Sequence, residues 1–323
     1  MISFKIAKPV WSILVVFMIL GFCCVPANAL DILIGTSKAG TSSHFTGRLI
    51  ERVVSKQVKD INCKTVPASG DIHNLTNLLQ GSLDIALIDS RMLHDAINKI
   101  GNFRFFDINY HDLTVLVPLY DVPVTLIVGD NVGITNLDGL KGKRINIGAP
   151  LSLQRLSIET ILAAKNWSKN NFSLVAEISD SQSQDTMAFC HGTIDAMIHV
   201  GVHPDPSLQQ LFKLCKAKTA DMNDTDIQNL VHRHPAFSKF TIPSGTYPSQ
   251  TSDIITFGTQ TLLVASQNLD EETAYAILNA IYRNHKKFSN AHPSLTLKKP
   301  DIKQMSYAGI KLHAGTLKYF SGQ

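Results

Sequence analysis

The stretch LIGTSKAGTSSHFTGRLIERVV, residues 33–54, sets the pattern for the whole chain. It begins inside a short apolar run, residues 32–34, which predicts a buried strand. A loop rich in glycine, serine and threonine follows, and apolar residues then recur at helical spacing over residues 45–54. The stretch therefore predicts a strand, a small-residue loop and a helix.

This loop is a candidate half of a binding site. The first N–H groups of a helix have no intrahelical acceptor and carry partial positive charge, so they bind anions. We expect the loop to contact a small ligand that carries a carboxylate. One alternative is a turn that only caps the helix. Another is a nucleotide-binding P-loop, but Thr41 occupies the position of the lysine that this motif requires after Gly40.

A second unit repeats this design later in the chain. A predicted strand over residues 144–147 leads into the turn Gly-Ala-Pro-Leu-Ser and a predicted helix over residues 153–164. Two such units facing each other would form a cleft lined by two helix N-termini. Between them, Asp71 is a predicted N-cap, and Asp89 and Ser90 follow a predicted strand at residues 83–88, where ligands bind in open α/β sheets.

Three other regions give more ambiguous predictions. Residues 113–119 and 122–128 read as two strands, because Pro118 and Pro123 interrupt them. Residues 271–288 predict one amphipathic helix. Tyr247 lies in a proline-flanked loop and is expected to be exposed.

The N-terminus has the features of an export signal. Lys5 and Lys8 precede an apolar core at residues 13–25, and Ala-Asn-Ala at residues 27–29 fits the rule for signal peptidase. We predict cleavage after Ala29 and a periplasmic protein, with an uncleaved anchor as the alternative. Since no second long apolar stretch follows, we expect the processed protein to be soluble.

The composition excludes some functions and leaves the cysteine pairing open. The formal charge of +4 falls to +2 when the signal, with Lys5 and Lys8, is removed. No basic run is interleaved with aromatics. Nucleic acid is therefore not an expected partner. Cys63, Cys190 and Cys215 follow the signal. Cys190 and Cys215 could pair, but we favour three buried, reduced thiols.

Eight segments, in order, resemble the TAXI-type solute-binding subunits of TRAP transporters. The resemblance covers nearly all of residues 31–320, and the ordered set is more specific than any single motif. The segments are IGTSKAGTSSHFTGRL, VPASGDIHNL, GSLDIALIDS, LDGLKGKRINIGAP, GTIDAMI, GVHPDPSLQQL, IPSGTYPSQ and KLHAGTLKYF.

The resemblance implies an α/β fold of the periplasmic-binding-protein type II kind, with two lobes joined by crossover strands around a central cleft. Lobe 1 would comprise residues 30–123 and 257–323, and lobe 2 residues 124–256. Such proteins are not enzymes and use no cofactor or metal. They close on a small organic anion, such as glutamate or another carboxylate, and deliver it to a membrane permease. We expect a monomer.

The resemblance also implies a set of ligand contacts. They are Thr36, Ser37, Ser43, His44, Ala68, Ser69, Asp89 and Ser90 in lobe 1, Ala149, Pro150 and Ser152 in lobe 2, and Gly201, His203 and Tyr247 near the closing cleft. Two features depart from the family. Ser43-His44 replaces a usual tyrosine pair, and residues 151–154, Leu-Ser-Leu-Gln, replace a glycine-rich turn that would let backbone approach the ligand.

Three other functions stay open. The first is a hydrolase. The chain has neither a G-x-S-x-G elbow nor an H-E-x-x-H motif, although serine and histidine are plentiful. A metal-binding module could use His191, His199 and His203, or His232 and His234, but ordinary histidines are the simpler interpretation. A stand-alone exported sensor or surface antigen has the same sequence features as a transport receptor.

Overall fold

The computed structural model of the protein describes residues 29–150, 152–178, 182–248, 250–266, 268–297, 299–300 and 310–322. The predicted signal peptide lies outside the described residues except for Ala29. Among the helices in the described part of the chain, none has the length and apolar character needed to cross a membrane.

In the described part of the chain, ten strands form the sheet. They are β1 (Leu30–Thr36), β2 (Ile61–Pro67), β3 (Ile85–Asp89), β4 (Thr114–Gly129), β5 (Arg144–Asn146), β6 (Leu174–Ala176), β7 (Ala196–Val200), β8 (Ala217–Ala220), β9 (Ser238–Ile242) and β10 (Ile254–Ala265). Their order is β2-β1-β3-β10-β4-β7-β5-β6, with β8 beside β4 and β9 beside β10.

The α-helices lie between these strands and after them. They are α1 (Ser42–Gln57), α2 (Asp71–Leu79), α3 (Ser90–Ile97), α4 (Leu153–Ala164), α5 (Gln182–Cys190), α6 (Pro206–Leu214), α7 (Thr225–Arg233), α8 (Glu271–Arg283), α9 (His285–Ala291) and α10 (Ala314–Ser321). Most parallel strands are joined through a helix, as the βαβ rule requires.

Two long strands connect the two halves of the sheet. β4 pairs with β10 up to Pro123 and then with β7 and β8 from Val124 onward. β10 pairs with β9 over its first residues and with β3 over its last. This is the architecture of the periplasmic-binding-protein type II-like fold predicted from sequence. The proposed lobe boundaries themselves stay a prediction.

Each half has hydrophobic clusters on both faces of its part of the sheet. In the first half, Ile32 and Ile34 of β1 join a cluster with α1 and α8, while Leu33 packs against a second cluster with α2 and α3. Alternate residues of a strand point to opposite faces, so the sheet is covered on both sides. In the second half, α4 and α7 form one cluster, and α5 and α6 form another.

The last helix returns the C-terminal end of the chain to the first half. α10 packs against α8, where Tyr319 meets Tyr275 edge to face with ring centroids 5.5 Å apart. Gly315 permits this approach, because a Cβ there would lie 2.6 Å from the Glu271 carbonyl oxygen. Both ends of the described chain therefore belong to the half that contains β1.

The structure corrects two element predictions. β4 is one strand rather than two, because register shifts opposite Pro118 let the ladder continue past the proline. The helix predicted over residues 271–288 ends at Arg283, and Asn284 separates it from α9. The Asn284 side chain donates to the Ala280 carbonyl oxygen at 2.8 Å, which ends α8 locally.

The preference for three reduced thiols is wrong for two of them. Cys190, at the end of α5, forms a disulfide with Cys215, at the end of α6, with 5.1 Å between their Cα atoms. The two helices share a hydrophobic cluster through Phe189 and Leu211, which brings their C-terminal ends together. Cys63 is buried and reduced, as predicted.

Thiol titration should report this pairing. Among Cys63, Cys190 and Cys215, we expect no reactive thiol in the native protein, one after denaturation, and three after denaturation with a reductant. Burial is the main reason that the pKa of Cys63 rises to about 12, so it holds very little reactive thiolate when folded. Three reactive thiols without reductant would contradict the disulfide.

Candidate functional site

A cleft of about 580 Å³ lies over the crossover strands. Tyr120 and Val122 of β4, Leu87 of β3 and Thr261 of β10 contribute to its lining from the sheet. The N-terminus of α1 lines it from the first half of the molecule, and the N-terminus of α4 lines it from the second. The cleft therefore brings together the two strand-loop-helix units of the sequence.

At the first-half end of the cleft, the N-terminus of α1 offers backbone amides that the helix does not use. Gly40 has φ +90°, a conformation that favours glycine, and it leads into Thr41, whose side chain caps the His44 N–H at 3.2 Å. Ser43 turns its Oγ toward the Ser37 N–H, which donates to it at 3.2 Å. Since the amides of Ser42 and Ser43 have no acceptor within the helix, they can bind an anionic group.

The α4 end has a similar cap and a buried amide side chain. Ser152 caps the Arg155 N–H at 3.1 Å, and its hydroxyl donates to the Ala149 carbonyl oxygen at 2.8 Å. Gln154 lines the cleft although it is 4% exposed, and neither polar atom of its side chain has a partner among the described residues. A buried amide without partners is costly, so a ligand group that bonds to Gln154 would recover that cost.

Gly148 makes room for this arrangement. Its φ is +79°, and a Cβ at this position would lie 2.9 Å from both the Gln154 Oε1 and the Ser152 Oγ. The sequence suggested that loss of the glycine-rich turn keeps backbone away from the ligand. The structure instead places the Gln154 side chain at that point.

Two aspartates meet in the wall of the first half. Asp71, the first residue of α2, accepts a hydrogen bond from the Asp89 N–H at 3.0 Å. Asp89 in turn caps the Arg91 N–H and accepts from the Thr259 hydroxyl. Burial and then the charge of Asp89 raise the pKa of Asp71 to about 7, and burial also raises the pKa of Asp89. Asp71 is not the N-cap that the sequence suggested, since Gly70 occupies that position.

The second half adds two more carboxylates and a histidine. Asp205 caps α6 by accepting from the Ser207 and Leu208 amides, and Asp185 accepts from the Asn146 side chain at 2.8 Å. Burial acts to raise the pKa of Asp205, but His199 and the cap bonds outweigh it and lower the pKa overall. Among the described residues that line the cleft, none is a lysine or an arginine.

The raised pKa of Asp71 should make stability pH-dependent. An unfolded aspartate titrates near pH 4, so between about pH 4 and pH 7 the folded state holds more protons at Asp71 than the unfolded state. Its contribution to the free energy of unfolding is therefore present at low pH and lost as the pH rises through about 7. In Asp71→Asn this contribution is absent. The melting temperature of the variant minus that of the wild type should rise from about pH 5 to about pH 8.

Thermal unfolding scans of the two proteins across this range would measure the difference. The exposed Asp107, changed to asparagine, controls for the loss of one charge. A difference that stays constant or falls with pH would contradict the assignment.

The structure brings some of the predicted contacts together and separates others. Those that line the cleft are Ser37, Ser43, Asp89, Ser152 and Gly201. Ser90 and His203 line a second cavity, of about 840 Å³. Thr36, His44, Ala68, Ser69, Ala149, Pro150 and Tyr247 line neither, and their roles stay predictions.

Tyr247 is buried, which corrects the expectation that it is exposed. Its hydroxyl accepts from the Asp205 N–H at 2.9 Å and bonds to Nδ1 of His203 at 2.5 Å, and the other His203 nitrogen bonds to the Thr125 hydroxyl at 2.8 Å. Burial and then His199 lower the pKa of His203 to about 3, so it is neutral. The pair therefore fixes the loop that carries Asp205.

Sequence reasoning missed several cleft residues as ligand contacts, among them Gln154, Asp185, His199 and Asp205. The turn at Asp71 was predicted to face the same pocket as Thr36, but Asp71 itself was not among the predicted contacts. Two of the missed residues carried a usable signal. Asp205 precedes a proline that starts a helix, and Gln154 follows the turn after β5. Asp185 of α5 and His199 of β7 come to the cleft through the folding of the second half, which local patterns do not encode.

The two-half sheet, the crossover strands and the cleft define a protein of the periplasmic-binding-protein type II-like fold. The chain belongs to the NMT1-like family, whose model matches residues 34–323. No curated protein sequence matches the chain significantly.

Several solved structures share the fold at low sequence identity. A TctC solute-binding protein from Polaromonas is 14% identical, with a TM-score of 0.54 over 90% of this chain and 91% of that one. PhnD1 from Prochlorococcus marinus, in complex with methylphosphonate, is 15% identical, with a TM-score of 0.50 over 86% and 97%. A structure described for glutathione import via GshT in Streptococcus mutans is 12% identical, with a TM-score of 0.51 over 85% and 100%.

Proposed function

We propose that this protein is an exported solute receptor that captures a small ligand in the cleft and delivers it to a membrane transporter. The observation that carries the proposal is the cleft itself, lined by the α1 and α4 N-termini from opposite halves of the molecule. Two structures of the same fold support it, a TctC solute-binding protein and PhnD1 with bound methylphosphonate. The ordered sequence segments favour the TAXI type of TRAP receptor, with a TRAP permease as the partner and the periplasm as the location.

The charges of the cleft favour an amino acid over a simple carboxylate. A carboxylate group suits the free amides of Ser42 and Ser43, since helix N-termini bind anions without a cationic side chain. The cleft also requires positive charge on the ligand. Its four aspartates would repel a ligand of purely negative charge; they are Asp71, Asp89, Asp185 and Asp205. An ammonium group placed near these carboxylates removes that repulsion. Glutamate, with both kinds of group, meets the two requirements together.

Closure of the halves around such a ligand would exclude water from it. Hydrogen bonds and ion pairs strengthen when water leaves, so fixed amides and carboxylates then contribute more to affinity. The Gln154 side chain can serve either ligand group, because it offers a donor and an acceptor. A receptor of this kind releases its ligand chemically unchanged, and we propose no catalytic role for the cleft.

Thermal-shift and calorimetric titration with matched ligands would test the proposal. Glutamate and glutarate differ by the ammonium group alone, and the comparison separates an amino-acid site from a carboxylate site. We expect glutamate or another amino acid to raise the melting temperature, since a ligand that binds only the folded state must do so. Recovery of intact ligand after denaturation would distinguish a receptor from an enzyme. Absence of any shift across amino acids and carboxylates would overturn the proposal.

A further inference from the structure

A cluster of two histidines and one aspartate lies outside the cleft, where the two halves of the molecule touch. His94 and Asp95 are neighbours on α3, and His234 follows α7. One potential ligand atom from each of the three lies within 4.8 Å of the others. His94 borders the second cavity rather than the cleft. We propose that His94, Asp95 and His234 bind a transition-metal dication of the Zn²⁺ class.

The chemistry of the three side chains selects this class of ion. Imidazole nitrogen suits Zn²⁺, Ni²⁺ and Cu²⁺, and a single carboxylate completes a set of three protein ligands with one position open. Bonds of 2.0–2.1 Å in a tetrahedral site place two ligand atoms roughly 3.3 Å apart. The His94 Nδ1 and the Asp95 Oδ1 are 3.4 Å apart, close to that separation.

His234 lies across from this pair, and its ring would have to turn toward a shared ion. Its ring centroid is 4.5 Å from that of His94, with the rings tilted by 48°. The ring hydrogen bonds of both histidines are long. The His94 Nδ1 lies 3.4 Å from the Asp95 Oδ1, and the His234 Nδ1 accepts from the Ala236 N–H at 3.4 Å. Since the bonds are weak, rotation of the two rings toward a shared ion would lose little.

Asp95 has a charged neighbour on the side away from His94. The Arg91 Nε lies 3.5 Å from the Asp95 Oδ2, on the oxygen that does not face His94. Ligating carboxylates commonly have an outer partner, and this ion pair leaves the Asp95 Oδ1 facing His94. Arg91 is itself fixed, since its Nη1 donates to the Thr160 hydroxyl at 2.7 Å and to the Leu156 carbonyl oxygen at 3.0 Å.

An ion at this position would link the two halves. α3 belongs to the half that contains β3, while α7 packs with α4 in the other half. The halves already meet there, because the Ser90 hydroxyl donates to the Ala236 carbonyl oxygen at 3.0 Å. A bound ion would strengthen this contact, and the inference does not depend on the ligand of the cleft.

Zinc titration of the tag-free protein, expressed from the full chain, tests the site. A chromophoric chelator in competition would measure the dissociation constant for Zn²⁺ alone. We expect one saturable site, and His94→Gln and His234→Gln should each weaken it about 100-fold, at the upper end of the range for loss of a supporting residue. Glutamine retains polarity and approximate size, and melting curves would verify folding.

His232→Gln is the matched control, since His232 is exposed, two residues from His234, and outside the cluster. We expect it to leave zinc affinity unchanged. Asp95→Asn, which keeps the side-chain shape, should weaken binding and provides a third test if one histidine variant does not fold. Absence of saturable binding, or binding that survives both histidine variants, would overturn the proposal.

Discussion

Replacement of Gly258 by alanine is expected to lower the free energy of unfolding by about 3 kcal/mol, at the upper end for an overpacked core. Gly258 lies opposite Pro123, where β10 and β4 pair between the two halves. A Cβ there would lie 2.3 Å from the Val122 carbonyl oxygen and 2.8 Å from the Pro123 Cα. Both are backbone atoms of a buried strand, so neither can rotate away as a side-chain end could.

Urea unfolding of Gly258→Ala beside Gly129→Ala would measure this effect. Gly129 is the last residue of β4, the strand that Gly258 faces. A Cβ at Gly129 would make only ordinary contacts of 3.4–3.6 Å with side chains. We expect the control to change the free energy of unfolding by less than about 1 kcal/mol. Equal stabilities of the two variants would show that the crossover strands can separate locally, contrary to the close approach described here.

The second large effect concerns the ligand. In the proposed amino-acid complex, Asp71→Asn should weaken binding of the amino acid by about 10- to 100-fold, the range for a lost hydrogen bond to a charged group. The same change should leave glutarate binding equal or tighter, because it removes a negative charge from the cleft. Isothermal titration of both ligands against both proteins would measure the four affinities.

The number of protons released or taken up on binding is a second measurement that tests the same ligand placement. Near pH 7 the raised pKa leaves Asp71 partly protonated, and an approaching ammonium group favours its charged form. Amino-acid binding should therefore release a proton, while binding of a pure anion should take one up. Titrations in two buffers of different ionisation enthalpy distinguish release from uptake. Proton uptake with glutamate, or tighter binding by the asparagine variant, would contradict the placement of the ammonium group at Asp71.

Local patterns predicted much of the fold. The helix over residues 153–164 matches α4, because a serine cap and apolar periodicity mark both its start and its face. β4 was predicted as two strands, since sequence shows its prolines but not the register shifts in β10 that accommodate them. The single break at Asn284 was missed for a similar reason, because one side-chain bond to Ala280 decides it.

The site was harder to predict than the fold. Ser43 and Ser152 lie in the cleft because each belongs to a strand-loop-helix unit that sequence reveals. Tyr247 was expected to be exposed, but its burial depends on His203, 44 residues away in the chain. Asp71 and Gln154 acquire their significance from burial and from neighbours in the folded chain. The disulfide likewise depends on the C-terminal ends of α5 and α6 meeting.

The return of α10 to α8 has a practical consequence for optical sensors. Leu30 opens β1, and α10 packs in the same half, so a fluorescent reporter fused to either end would ride with that half. Such a fusion would register little of any rotation between the halves. A donor dye near α8 and an acceptor dye on α7 would instead lie on opposite halves. Energy transfer between them would report the change in distance as the halves rotate about β4 and β10.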